Sequence, residues 1–169
     1  MNILELISKK MDSLIELIGK FSSILICFLI LVITLSVILR YFFSLGYVWL
    51  QDLYIWLHAT IILLGVSFTL KHNGHVRIDL FYRDASHRYK NIINLFGYIF
   101  LTLPFCVLVI NYSYSYFYRS YLLLEASKET GGLPAIYILK FLIFFMGITL
   151  IIQVINNIFK IIKGENGNN

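Results

Sequence analysis

Four histidines are the side chains best placed to hold a cofactor. His58 and His72 stand fourteen positions apart. On a helix that is about 21 Å, a spacing that serves two haems when each histidine meets another on a facing helix. The other two, His75 and His87, sit beside His72 and just before the third apolar run. Two complete bis-histidine sites therefore cannot be assembled, and one haem between His72 or His75 and His87 is the most this set offers. For His58 the simpler reading is a packed polar side chain bonded to a neighbouring helix. Asp52, Asp79 and Asp84 are isolated carboxylates, Asp79 two positions from Arg77 and Asp84 beside Arg83, which suits ion pairing better than paired acid–base catalysis. The sequence contains no cysteine–histidine cluster, phosphate-binding glycine loop or nucleophile elbow, and no catalytic centre is expected.

The elements that must position these residues are set by the composition. Of 169 residues, 59% are hydrophobic and 14% charged, with a mean hydropathy of +0.81; an ordinary soluble domain carries about 25% charged residues. This is the composition of a membrane protein. Four stretches lack charge for long enough to cross a hydrocarbon core about 30 Å thick, at residues 21–39, 53–70, 91–118 and 141–159. They are continuously apolar, without the alternation of a β-barrel, so the fold class is all-α integral membrane, residues 1–169 forming one membrane domain. Cys27 and Cys106 fall inside these runs and act as small hydrophobes.

The net charge of +5 does not point to nucleic acid, because the basic residues lie between the apolar runs. Lys9, Lys10, Lys20, Lys71, Arg77, Arg83, Arg88, Lys90, Lys160 and Lys163 fall on one side of the membrane and Arg40, Arg119, Lys128 and Lys140 on the other. By the positive-inside rule both termini and the middle loop are expected in the cytoplasm. In residues 1–20, Ile3, Leu4, Ile7, Met11, Leu14, Ile15 and Ile18 recur at helical spacing. This predicts an amphipathic interfacial helix resting on membrane lipid.

The third helix, from Ala85 to Tyr118, would be about 50 Å long, and Pro104 near its middle predicts a bend. Asp84 or Ser86 is suited to cap it. Ser44-Leu45-Gly46 and Asn73-Gly74 read as turns, and Gly131-Gly132-Leu133-Pro134 as the break at which the fourth span starts. No Asp, Glu, Lys or Arg lies inside the four runs. Ion-coupled carriers place ionisable groups near the midplane, so the chain alone is a poor transporter. Its in-span polar groups, among them His58, Thr60, Ser67, Asn111 and Gln153, are suited to interhelical hydrogen bonds.

Taken in order, these residues resemble the small membrane subunit of tripartite ATP-independent periplasmic (TRAP) transporters. The likeness is carried by Arg40-Tyr41-Phe42 and Trp49-Leu50-Gln51-Asp52-Leu53, by His75-Val76-Arg77-Ile78-Asp79, and by Gly132-Leu133-Pro134 followed by Lys140 and Gln153. Gln51 departs from the family, which often has an acid there, leaving Asp52 to carry any charge role. The resemblance implies a non-catalytic scaffold in the bacterial inner membrane. It would support a large multi-span subunit that moves organic acids with a sodium gradient, sodium binding that partner and no cofactor this chain. It also implies a periplasmic substrate-binding protein, which the connections from Arg40 to Asp52 and from Arg119 to Lys140 are placed to touch. Arg40, Trp49, Asp52, His75, Arg77, Asp79, Pro134, Lys140 and Gln153 are the candidate interface or structural residues. Two other classes stay open: a haem- or quinone-linked membrane anchor of an oxidoreductase, and a self-assembling small transporter.

Overall fold

The apolar runs fold into four long helices in the computed structural model, which describes residues 3–75 and 86–164. They are α1 (Ile3–Phe42), α2 (Val48–Lys71), α3 (His87–Leu122) and α4 (Tyr137–Lys163), each long and apolar enough to cross a membrane. Arg77, Asp79 and Asp84 lie outside the described residues.

The amphipathic N-terminal segment and the first apolar run are a single helix of 40 residues, about 60 Å long. The helix ends follow from local chemistry. Past α1, Ser44 takes φ 54° and the Leu45 amide donates to Leu39 O at 3.0 Å. Past α2, Asn73 takes φ 53° and the Gly74 amide donates to Thr69 O at 2.9 Å. In both, a left-handed residue turns the chain so that an orphan carbonyl is satisfied. Ser86 caps α3, its hydroxyl accepting from the Tyr89 amide, as expected of it. The perturbation expected at Pro104 takes the form of a π-helical turn, Tyr98–Thr102, just N-terminal to it. Pro104 has no N–H to give, and a local change of register is one way a helix absorbs that loss. At the other break, α4 starts at Tyr137, three residues beyond Pro134, because Ala135 has φ 69° and cannot continue a helix.

The connectivity is up-down-up-down, with α4 packed against each of the other three helices. A third of its most apolar stretch is buried, against 11–17% for the others, which makes it the central element. Small residues permit close approach. A Cβ on Gly19 would stand 2.0 Å from the Phe68 ring, and one on Gly147 2.7 Å from Ile110, so α1 meets α2 and α3 meets α4 nearly backbone to side chain. Glu5 of α1 pairs with Lys163 of α4 at 2.6 Å, which places the start of α1 and the end of α4 at the same end of the bundle.

Candidate functional site

Polar side chains converge at the two ends of the bundle. At the end away from the termini, the connection between α3 and α4 folds onto the start of α2. Asp52 Oδ2 accepts the Leu133 amide at 2.9 Å, and the Ser127 amide donates to Leu133 O at 3.0 Å. Gly132 is required here, since a Cβ would lie 2.5 Å from both Asp52 Oδ2 and Ser127 Oγ. Behind this loop Lys140 is buried in the first turn of α4. Its ammonium pairs with Glu125 and lies 4.0 Å from the centre of the Tyr116 ring, while Ser120 Oγ donates to the same Glu125 oxygen at 2.6 Å. The hydrogen bonds from Lys140 and then Ser120 hold the Glu125 carboxyl below its ordinary value of 4.5. The arrangement positions a loop.

At the opposite end, α1 turns its acids inward. Glu16 Oε2 lies 2.6 Å from Lys71 Nζ and 3.1 Å from His72 Nε2. Asp12 binds Lys160 at 2.6 Å and accepts from Asn156 Nδ2 at 2.8 Å, and Ser8 donates to Asn156 Oδ1 at 2.6 Å. Above this clamp the polar interior continues. Ser67 donates to Thr149 Oγ1 between α2 and α4, and Gln153 reaches Asn157, which donates to Tyr98 Oη of α3. Ser67 makes the interhelical bond expected of it, whereas Gln153 bonds within its own helix, to Asn157, and only Asn157 reaches across to α3; Gln153 Oε1 stays buried without a partner among the described residues.

Of the expected site residues, Asp52, Pro134 and Lys140 therefore share one end, with Trp49 and Arg40 exposed near it. Gln153 is buried towards the other end, and His75 is exposed beside an open groove of about 460 Å³ lined by Leu70, Thr102 and Leu150. Arg77 and Asp79 lie outside the described residues. Glu125, with Ser120, was not singled out from sequence, nor was the clamp made by Glu5, Asp12 and Glu16. A signal for the clamp exists: acids seven and four residues apart share one helical face, and Lys71, Lys160 and Lys163 all end helices arriving at that side.

His58 departs from its expected place. It is exposed on the outside of α2 and meets no hydrogen-bond partner among the described residues. His72 is taken by Glu16, with its ring tilted against Phe68 at 4.4 Å between centres, so this arrangement gives the haem-anchor alternative no support.

Comparison with known proteins agrees with the resemblance. The family described as tripartite ATP-independent periplasmic transporters, DctQ component, matches residues 29–164. A curated relative, the C4-dicarboxylate TRAP transporter small permease protein DctQ of Vibrio cholerae serotype O1, is 27% identical over 107 residues. That match covers 63% of this chain and 45% of the relative, so the alignment spans about half the relative's length.

Proposed function

The chain belongs to the DctQ-component family of TRAP transporters, and from that premise we propose that it is the scaffold on which a larger carrier subunit moves. Membership makes it a small, multi-pass subunit of a transporter in the bacterial inner membrane. In the proposed role it performs no catalysis and binds no transported solute. The large multi-span subunit takes up an organic acid using a sodium gradient, sodium binding there, and a periplasmic binding protein delivers the substrate. The name of the Vibrio relative, a C4-dicarboxylate system, supports the organic-acid class.

The observation that carries this reading is the direction in which the side chains point. Buried hydroxyls and amides such as Ser67, Thr149 and Asn156, and the ion pairs Asp12–Lys160 and Glu125–Lys140, lie within the bundle, while Phe21, Ile24, Phe28 and Leu31 of α1 and Leu101 and Phe105 of α3 are exposed. A carrier needs a polar path near the midplane; a scaffold needs broad apolar faces for lipid and for a partner. In this reading the loop held by Asp52 and Lys140 presents a fixed surface to the periplasm; the positive-inside count supports both termini lying in the cytoplasm.

Reconstitution tests the proposal. Vesicles with an imposed sodium gradient should take up substrate only when this chain, the large subunit and the binding protein are all present. Uptake by this chain alone, or undiminished uptake without it, would overturn the scaffold role.

A further inference from the structure

His58 is the eleventh of the 24 residues of α2, so it lies about 15 Å from the start of the helix and near the middle of the membrane. It is exposed there and has no hydrogen-bond partner among the described residues. Lipid tails offer nothing to an imidazole, and a polar group left unpaired in hydrocarbon costs several-fold to many thousand-fold in equilibrium terms.

The surroundings of His58 give it a direction. Gln51, Ile55, His58 and Ile62 are all exposed, at spacings of four, three and four. That is one stripe along α2, with the period of a helix–helix seam. The packed side of the helix, marked by Leu50, Leu64 and Ser67, lies roughly opposite. Thus α2 has an inner seam used within the chain and an outer seam carrying two hydrogen-bonding side chains two turns apart. A face meant for lipid has no use for either amide or imidazole, and α2 is the least hydropathic of the four spans, at 1.8 against 2.2–2.9.

We propose that the Gln51–Ile55–His58–Ile62 stripe docks one spanning helix of the large membrane subunit, which presents a hydrogen-bonding side chain opposite His58 at the bilayer midplane. The complementarity is polar: the imidazole brings two ring nitrogens that hydrogen-bond, and the facing helix must satisfy at least one of them. Ile55 and Ile62 supply the apolar flanks of the contact. This inference rests on the scaffold reading and adds the helix face and the residue by which the partner is held.

The test uses the complex in native membranes. A photo-crosslinking phenylalanine analogue is placed at Ile55 or Ile62, with the tagged wild-type chain purified in parallel. Covalent adducts to the large subunit are expected. Adducts to lipid alone, or to a second copy of this chain, overturn the proposal. If the wild-type chain brings down no large subunit, the scaffold reading itself fails, which separates the two. His58→Leu gives a second readout: association with the large subunit should weaken about three- to thirtyfold, while the isolated chain melts no lower than wild type. His58→Gln, which keeps a donor and an acceptor, should recover most of the binding. Unchanged association of His58→Leu would overturn the proposal as surely as lipid adducts.

Discussion

Releasing the loop that Asp52 holds should expose the chain at Lys128 by a calculable amount. The Asp52 carboxylate accepts the Leu133 amide at 2.9 Å in a half-buried setting. A hydrogen bond to a charged group contributes about 1.5–3 kcal/mol, and partial exposure argues for the lower end. Asp52→Ala should therefore favour local opening by about 1.5 kcal/mol, close to tenfold. Gly132→Ala reaches the same end by another route. Its Cβ would stand 2.5 Å from Asp52 Oδ2 and from Ser127 Oγ. Restoring ordinary contact takes a movement of roughly 1 Å, which carries the Asp52–Leu133 pair beyond hydrogen-bonding distance. Lys128 is exposed in this loop, so trypsin cleavage there, followed on the purified chain in detergent, reports the open population. Each variant should be cut about ten times faster than wild type, and the double variant about ten times faster rather than a hundred, because both changes break one clamp. Wild-type rates in either single variant, or fully multiplicative rates in the double, would refute the reasoning.

Other expectations follow from the same geometry. Gly19→Ala forces a Cβ into the Phe68 ring and should cost about 1–3 kcal/mol of stability by overpacking; melting curves should show that Phe68→Leu reduces this cost. Glu125 is held ionised by Lys140 and Ser120, so its folded pKa is depressed and its contribution is present above 4.5 and lost as pH falls through the lower folded value. The gap in melting temperature between wild type and Glu125→Gln should accordingly stay level from pH 8 to about 5 and close below 4.5. Membrane-impermeant maleimide applied from the periplasmic side should label Lys128→Cys and leave Lys163→Cys unlabelled, in a background with Cys27 and Cys106 changed to alanine; the reverse pattern would invert the proposed orientation.

The membrane helices were legible because a hydrocarbon slab imposes a simple rule, long uncharged runs, that the sequence obeys at 21–39, 53–70, 91–118 and 141–159. The breaks were legible too where a single residue dictates them, as at Asn73-Gly74 and at the Ser86 cap. Pairings between distant elements were not. Asp52 meeting Leu133, or Asp12 meeting Lys160 and Asn156, joins residues 81 to 148 apart, and no local pattern names those partners. The helical spacing of Ile3 to Ile18 likewise does not name the partners of Glu5, Asp12 and Glu16, which bind Lys163, Lys160 and Lys71 along the packed side of α1. His58 shows the converse difficulty. Its polarity suggested a bond inside the chain, but the face on which it falls depends on which side of α2 packs, and that is decided by Leu50, Leu64 and Ser67 together.

The central claim is that this chain works as a fixed partner of a larger membrane protein. Affinity purification of the C-terminally tagged chain from native membranes in mild detergent, with mass spectrometry of what accompanies it, tests this most directly. Recovery of a much larger polytopic protein at close to one copy per chain is the predicted result. Recovery of the chain alone, or with a soluble dehydrogenase and a visible haem spectrum, would contradict it.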